Sequence, residues 1–225
     1  MNRFDRSRVL LGDGLDRLAQ CHVVVFGVGG VGSYAVEALA RCGIGRLTVV
    51  DEDVVDVTNI NRQLIALAST VGRPKVSVAQ ERVWDINPNC VVTAEQVRIT
   101  PENADSFFQG VDYAVDAIDT VTAKIALIQA AAAASVPIVS CMGTGNKLDP
   151  GQLKIADLAK THQCPLARVM RQELKKRGIV HLPVLFSTEE PVVKRQIPGS
   201  VSFVPGAAGL ILAGEVIRTL AGIHR

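Results

Sequence analysis

Short apolar runs alternate with longer amphipathic or alanine-rich segments along the first 141 residues. The runs that predict strands lie at 22–26, 47–50, 91–97, 113–117 and 137–141. The segments that predict helices lie at 30–42, 75–86 and 122–135, Gly43 is expected to cap the first of them, and Pro101 predicts the start of another short helix. Strands that alternate with helices in this way predict an α/β fold built on a doubly wound, mostly parallel sheet.

The pattern changes after about residue 142. A turn is expected at Asp149, Pro150 and Gly151, and a short strand at 153–155. A basic helix is predicted at 165–176, a long loop at 183–205 (which holds four of the ten prolines), and an apolar helix at 206–220. We interpret residues 1–225 as a single domain, with a nucleotide-binding half at about 1–141 and a C-terminal substrate lobe at about 142–225 that continues the sheet.

A glycine-rich turn follows the first predicted strand and opens the first predicted helix. It reads Gly-Val-Gly-Gly-Val-Gly, with glycines at Gly27, Gly29, Gly30 and Gly32. In a Rossmann-like sheet such a turn brings backbone N–H groups close to the phosphates of a nucleotide. Asp51 ends the next predicted strand, where an acid can bind a ribose hydroxyl. These features suit either NAD or ATP.

The charged residues beyond this point favour ATP. When a nucleophile attacks the α-phosphorus, positive charge must stabilise the departing pyrophosphate. Arg62 and Lys75 can supply that charge, and Arg6 is a further cation near the N-terminus. Asp119 follows a buried strand and offers oxygen ligands for Mg²⁺. An NAD-dependent oxidoreductase would leave these residues unused, and no Tyr-x-x-x-Lys pair is present. A nucleotide-binding module without chemistry is disfavoured because the phosphate-binding set is complete.

Five segments together resemble the adenylating domain of ubiquitin-activating-type enzymes, a family that includes the thiamine and molybdopterin sulfur-carrier adenylyltransferases. They are residues 27–33, 51–53, 59–63, 72–75 and 116–119. The resemblance implies ATP-dependent adenylation of a carboxylate. It also implies roles for individual residues: Asp51 at the ribose, Asn59, Arg62 and Lys75 at the phosphates, Asp53 and Gln63 elsewhere in the nucleotide site, Asp119 at Mg²⁺, and Arg6 as an arginine finger donated across a homodimer.

Segments in the second half resemble the branch of this family that dehydrates threonylcarbamoyladenosine in tRNA. They are residues 157–161, 165–167, 186–189 and 199–205. The resemblance implies that the threonyl carboxylate is adenylated and that the side chain then closes into a ring with net loss of water. Two positions depart from the pattern: longer members have a cysteine near Ser200, and Cys164 stands where an acid is expected. Activation of a ubiquitin-like sulfur carrier remains the alternative, and a sulfur-relay partner remains open.

The net charge of +2 permits contact with nucleic acid without requiring it. Basic residues in and around the helix predicted at 165–176 are candidates for binding the tRNA backbone: Arg168, Arg171, Lys175, Lys176 and Arg177, together with Lys160, His162, Lys194 and Arg195. A solvated basic face is the simpler alternative. Glu189 is a candidate for positioning the substrate.

The five cysteines contain no Cys-x-x-Cys pair, which favours a reducing cytoplasm over a disulfide framework or a structural zinc site. Cys141 ends a predicted strand near the site, and we expect it to be a buried structural thiol. The first residues include no apolar leader, and the apolar stretch at 204–214 is too short to span a bilayer. We therefore expect a cytoplasmic protein with no membrane segment.

Overall fold

The computed structural model describes residues 2–193 and 198–223, which form one seven-stranded sheet with helices on both faces. The strands are β1 (His22–Phe26), β2 (Arg46–Val50), β3 (Val91–Glu95), β4 (Tyr113–Asp116), β5 (Ile138–Cys141), β6 (Leu153–Asp157) and β7 (Pro183–Ser187). The α-helices are α1 (Asp5–Leu11), α2 (Gly14–Leu18), α3 (Gly32–Arg41), α4 (Lys75–Ile86), α5 (Val121–Ala133), α6 (Pro165–Lys175) and α7 (Phe203–Leu220).

The strand order is β3-β2-β1-β4-β5-β7-β6, and only β6 runs antiparallel to its neighbour. The predicted α/β class and the doubly wound, mostly parallel sheet are therefore confirmed. Because β7 and β6 extend the same sheet, the C-terminal lobe continues it as expected. The division into two functional halves stays an interpretation.

Helices cover both faces of the sheet, which explains why its central strands are almost continuously apolar. Leu39 of α3, Val83 of α4 and Leu212 of α7 belong to the core on one face. Leu127 of α5 and Met170 of α6 belong to the core on the other face.

The strand order reverses between β1 and β4, and this reversal creates the crevice in which parallel α/β sheets bind ligands. The glycine turn follows β1, Asp51 follows β2, and Asp119 lies three residues beyond the end of β4. All three therefore lie at the carboxyl edge of the sheet, beside the crevice.

The predicted loop at 183–205 is wrong at both ends. Residues 183–187 form β7, which pairs with β5 and β6, and α7 begins at Phe203. Val184 and Phe186 are buried in the sheet, while Pro183 takes the first position of the strand, where a missing N–H is tolerated. Pro205 lies in the first turn of α7, which also accepts proline.

The short helix predicted from Pro101 is also wrong. Residues 101–103 form turns, and only Ala104–Phe107 is helical, as a 3-10 segment. The Asn103 side chain accepts a hydrogen bond from the Thr100 N–H (2.8 Å) and donates one to the Arg98 carbonyl (2.9 Å). An asparagine that bonds nearby backbone in this way competes with regular helix formation.

Helix α7 is longer than the stretch predicted from the sequence. Its 18 residues are long and apolar enough to cross a membrane by length and composition alone, yet half of that window is buried within the protein. The helix packs on α3, and Gly209 permits the close approach because a Cβ there would collide with the Val31 carbonyl oxygen. Its apolar character is therefore accounted for by the core.

Candidate functional site

A cavity of about 1450 Å³ opens at the carboxyl edge of the sheet. It is lined by ten of the residues predicted for the nucleotide site: Gly27, Gly29, Gly30, Asp51, Asp53, Asn59, Arg62, Gln63, Lys75 and Asp119. Single small-molecule sites usually occupy about 300–1,000 Å³. The volume thus suits a nucleotide together with a second substrate.

The four glycines of the turn have different tasks. Gly27 adopts a φ of 84°, and a Cβ there would lie 2.8 Å from the Ala117 carbonyl oxygen. Gly32 does not line the cavity, but a Cβ in its place would collide with the Gly27 carbonyl oxygen. Gly29 and Gly30 border the cavity itself. Gly27 and Gly32 therefore shape the turn, and Gly27, Gly29 and Gly30 border the space for a ligand.

Asp51 joins the end of β2 to the glycine turn. Its Oδ2 accepts a hydrogen bond from the Val28 N–H (2.6 Å), and its Oδ1 accepts one from the Asp53 N–H (2.9 Å). A carboxylate has about four lone-pair directions, so acceptor capacity remains for a ribose hydroxyl.

Lys75 is the first residue of α4, and only 5% of it is exposed. Its Nζ lies 2.7 Å from Oδ2 of Asp53 and 3.7 Å from Oδ1 of Asp51. The ammonium is therefore held between two carboxylates. The side chain of Asp53 is largely exposed, so it is the partner that a phosphate oxygen could most easily replace.

The turn that carries Asn59 and Arg62 is built by side-chain caps. The Asn59 Oδ1 accepts a hydrogen bond from the Asp56 N–H (3.1 Å), which begins the 3-10 segment Val57–Asn59. The Arg62 Nη1 donates to the Thr58 carbonyl and to the Asn61 Oδ1, both at 2.9 Å. Within residues 2–193 and 198–223, Arg62 makes no ion pair with a carboxylate, so its charge is available to an anion in the cavity.

Gln63 supplies an independent indication of a ligand. The residue is 7% exposed and lines the cavity, and its Oε1 is buried with no hydrogen-bond partner among the described residues. A buried polar atom without a partner is costly, and a ligand that donates a hydrogen bond would satisfy it.

A buried network beneath the cavity holds the segment that presents Asp119. The Lys124 Nζ lies 2.9 Å from the Asp116 Oδ2 and donates to the Ile118 carbonyl (2.8 Å), while the Ser140 Oγ donates to the same carboxylate oxygen (2.5 Å). Asp116, Lys124 and Ser140 are completely buried. Lys124 and Ser140 were not predicted as site residues. A lysine inside the apolar helix α5 was the signal in the sequence that could have indicated the network.

The structure places Asp119 in an exposed position on the cavity wall. Across the described part of the chain, no three His, Cys, Asp or Glu side chains cluster as metal ligands. Mg²⁺ that accompanies a nucleotide is commonly held by one or two carboxylates plus phosphate oxygens. A single carboxylate at Asp119 fits a metal of that kind.

Arg6 is not brought to this cavity. It lies on α1, which has no buried residue, and the neighbouring Val9 and Leu10 are each 84% exposed. Within one chain, therefore, the predicted arginine finger is separate from the other predicted site residues.

The cavity extends into the C-terminal half, where the loop after β5 was missed by the sequence analysis. Residues 143–147 line it, together with Gln163, Cys164 and the segment 198–200. Glu189 does not line the cavity: its carboxylate accepts hydrogen bonds from the Leu148 and Asp149 N–H groups (2.9 and 3.0 Å). Its predicted role in positioning the substrate is replaced by one in shaping this loop.

All five cysteines are unpaired. Cys141 is buried at the end of β5, and burial raises the pKa of its thiol to about 12. The prediction of a buried thiol is confirmed, and the group is protonated at neutral pH.

Only part of the predicted basic surface is available. The Arg171 Nη1 donates inward to the carbonyls of Leu158 and Thr161 (3.1 and 2.9 Å), so part of this guanidinium is engaged within the protein, and its contact with RNA stays a prediction. Lys176 and Arg177 both pair with Glu173. Of the predicted basic residues, Lys160, Arg168 and Lys175 are exposed and make no ion pair among the described residues, while Lys194 and Arg195 lie outside that part of the chain. His162 is exposed, with its ring edge-on to Phe186 at 5.5 Å.

The fold and the glycine-turn site define a member of the ThiF family, and the chain belongs to it, because the family model matches residues 5–225. The chain is 44% identical to the tRNA threonylcarbamoyladenosine dehydratase of Bacillus subtilis, over 98% of this chain and 95% of that protein. It superposes on the crystal structure of the Escherichia coli dehydratase in complex with ATP with a TM-score of 0.93, at 39% identity, covering 98% of this chain and 94% of that one. A sulfur carrier protein adenylyltransferase of Thermus thermophilus is 32% identical over 100% of this chain and 79% of that protein. The predicted family and branch, and the prediction of an adenylating enzyme, are confirmed.

Proposed function

We propose that this protein is an ATP-dependent dehydratase that adenylates the threonyl carboxylate of threonylcarbamoyladenosine in tRNA and promotes its cyclisation. The observation that carries the proposal is the single cavity that joins the glycine turn, Arg62 and Lys75 to the C-terminal lobe. The 44% identity to a dehydratase, along nearly the whole length of this chain, supports the same substrate.

The first step joins the carboxylate to the nucleotide. A carboxylate oxygen of the substrate attacks the α-phosphorus of ATP, the bond to the β-phosphate oxygen breaks, and pyrophosphate leaves. Arg62, which has no carboxylate partner in the described chain, is the residue best suited to the developing negative charge. Lys75 contributes a second positive charge once a phosphate oxygen replaces Asp53.

The second step closes the ring. A nucleophilic atom of the carbamoyl side chain attacks the adenylated carbonyl, AMP leaves with the former carboxylate oxygen, and the nucleophile loses its proton. The substrate has then lost one water, and ATP has become AMP and pyrophosphate. Because the nucleophile is tethered, its effective molarity is on the order of 10⁵ M or more, and no enzyme thiol is required. The burial of Cys141 agrees with this route.

Asp119 is the residue that would hold Mg²⁺ together with the phosphates, and the metal would supply charge neutralisation there. The network of Asp116, Lys124 and Ser140 fixes the backbone at Ile118, directly before this carboxylate.

The protein acts as a homodimer in this proposal, with Arg6 serving the cavity of the partner. Helix α1 exposes Val9 and Leu10 beside Arg6, and a second copy of the chain would cover this apolar surface. Arg6 would then act in trans as an arginine finger on the phosphates.

The tRNA backbone would lie along Lys160, Arg168 and Lys175, whose charges are not paired within the described chain. Contacts of this type position an RNA without reading its sequence. The protein would work in the cytoplasm, where its ATP and tRNA substrates are.

The test incubates the purified protein with ATP, Mg²⁺ and tRNA that carries threonylcarbamoyladenosine, followed by mass analysis of the digested nucleosides. We expect the modified nucleoside to lose one water, with AMP and pyrophosphate formed in equal amounts. Unmodified tRNA serves as the control and should give no AMP. An unchanged nucleoside would refute the proposal, and pyrophosphate exchange that depends on a sulfur-carrier protein would instead support the carrier-activating alternative.

A further inference from the structure

Lys147 is a buried cation in the wall of the cavity, in the half that the nucleotide motifs do not reach. Only 6% of the residue is exposed, and its Nζ donates a hydrogen bond to the main-chain carbonyl of Glu189. No side-chain carboxylate of the described residues forms an ion pair with it, and the undescribed residues contain no Asp or Glu. Lys75 and Lys124, the other buried lysines of the cavity region, are both paired with aspartates.

A buried ammonium without an anionic partner is costly, so its retention in a cavity wall requires an explanation. Desolvation lowers the pKa of Lys147, and the nearby Glu189, Cys164 and Glu190 oppose that effect only in part. The Glu189 carboxylate is itself engaged by the Leu148 and Asp149 N–H groups. An anion that enters the cavity would therefore meet an ammonium that no carboxylate of the described residues contacts.

The loop that carries Lys147 is connected to the nucleotide side of the cavity by hydrogen bonds. Asn146 has a left-handed φ of 59°, its N–H donates to the Gly199 carbonyl (2.8 Å), and its Oδ1 accepts from the Gly199 N–H (2.6 Å). The next residue, Ser200, accepts a hydrogen bond at its carbonyl from the Asn61 Nδ2 (3.0 Å). The segment Gly199–Ser200 thus links the Lys147 loop to the turn that carries Arg62.

We propose that Lys147 binds the carboxylate of the substrate and holds it for attack on the α-phosphorus, an inference that rests on the proposed function. The phosphates already have Arg62 and Lys75 at the glycine-turn end of the cavity, whereas Lys147 follows β5 and comes from the other half. An ammonium can contact one carboxylate oxygen and leave the other free as the nucleophile. Lys147 is therefore a specificity-determining residue that selects an anionic acyl group.

The test compares the natural carboxylate with a neutral analogue. A fluorescent anticodon stem–loop that carries threonylcarbamoyladenosine is titrated against the protein and a non-hydrolysable ATP analogue, and the titration is repeated with the threonyl carboxamide. We expect the wild type to bind the carboxylate about tenfold more tightly or better, in line with hydrogen bonds to charged groups. Lys147→Met should lose this preference, and Lys147→Arg should keep part of it. Lys154→Met, which removes an exposed lysine of β6 from the same half but outside the cavity, should retain it fully.

Turnover gives a second readout. Lys147→Met should raise KM for the tRNA about tenfold and leave the affinity for ATP unchanged, which also shows that the variant is folded. An equal preference of the wild type for carboxylate and carboxamide would overturn the inference without any variant. Loss of ATP affinity in Lys147→Met would assign the lysine to a phosphate and would also overturn it. If the wild type does not dehydrate the tRNA, the proposed function fails. If the wild type is active and Lys147→Met retains the carboxylate preference, this inference alone fails.

Discussion

The buried pair of Lys124 and Asp116 gives the sharpest prediction about stability. Both side chains are completely buried, with their charged atoms 2.9 Å apart. Lys124→Met removes the cation and fills a similar volume, which leaves Asp116 with the Ser140 hydroxyl and the Ile118 N–H as its donors among the described residues. Removal of one member of a buried ion pair typically costs about 3–5 kcal/mol. The free energy of unfolding should fall by that amount, which is a large share of a typical total of about 5–15 kcal/mol.

Urea denaturation followed by circular dichroism measures the effect. With an m-value of about 3 kcal/mol/M, the midpoint should fall by about 1 to 2 M. The matched control is Lys176→Met, which removes an exposed lysine paired with Glu173 (2.5 Å) and should cost less than about 1 kcal/mol. Removal of both buried charges in the double variant Asp116→Asn, Lys124→Met should cost less than Lys124→Met alone, because no unpaired charge is then buried.

Equal costs for Lys124→Met and Lys176→Met would refute this reasoning. The Lys124→Met variant should also have a lower turnover than the wild type at a urea concentration where the variant remains folded. The reason is that Lys124 holds the Ile118 carbonyl, directly before Asp119. Full activity in the folded variant would show that the network contributes to stability without positioning Asp119.

Three further predictions concern the site. Arg62→Ala and Asp119→Ala should each lower turnover at least about a hundredfold, as loss of transition-state charge stabilisation does, with a melting temperature close to that of the wild type. Arg6→Ala should be inactive alone. An equilibrated equal mixture of Arg6→Ala and Arg62→Ala should regain about a quarter of wild-type turnover, because half of the dimers would hold one intact site of two. No recovery in the mixture would exclude donation in trans. Cys141→Ala should retain turnover within about twofold. Burial raises the pKa of the Cys141 thiol to about 12, so the thiol stays protonated at pH 8. It should therefore resist iodoacetamide at that pH, which mass spectrometry can check.

The first half of the fold could be predicted because each local signal agrees with the sheet. The predicted strand at 22–26 and helix at 75–86 have the observed bounds, since an apolar run before a glycine turn and a helix that stops at Asn87-Pro88 are unambiguous. Strand β7 was missed because the local sequence signal disagrees with the sheet. Four prolines spread over 23 residues suggested a loop, although Pro183 stands at a strand start and Pro205 in a helix start, where the missing N–H has little cost.

The candidate site likewise contains residues that the sequence could predict and residues that it could not. Residues in contiguous motifs, such as Asp51 and Arg62, were found because their spacing from the glycine turn carries information. The pairing of Asp116 with Lys124 and Ser140 joins residues from β4, α5 and β5, so only the tertiary structure reveals it. The inward hydrogen bonds of Arg171 could not be predicted, because a basic side chain on an amphipathic helix can turn to main-chain carbonyls, a choice that helical spacing does not encode.

The charges around the cavity indicate how two anions can be brought together. Lys124 is completely buried against Asp116 and holds the protein in shape, whereas Lys75 is paired with the exposed Asp53, which a phosphate oxygen can replace. Arg62 and Lys147 contact only uncharged oxygen atoms among the described residues, and they face the cavity from opposite halves of the chain. A carboxylate and an α-phosphate repel each other, so their reaction requires positive charge on both sides. Because Gly199–Ser200 connects the two loops through Asn146 and Asn61, a lengthening of that segment should separate the two cations and lower turnover while each substrate still binds.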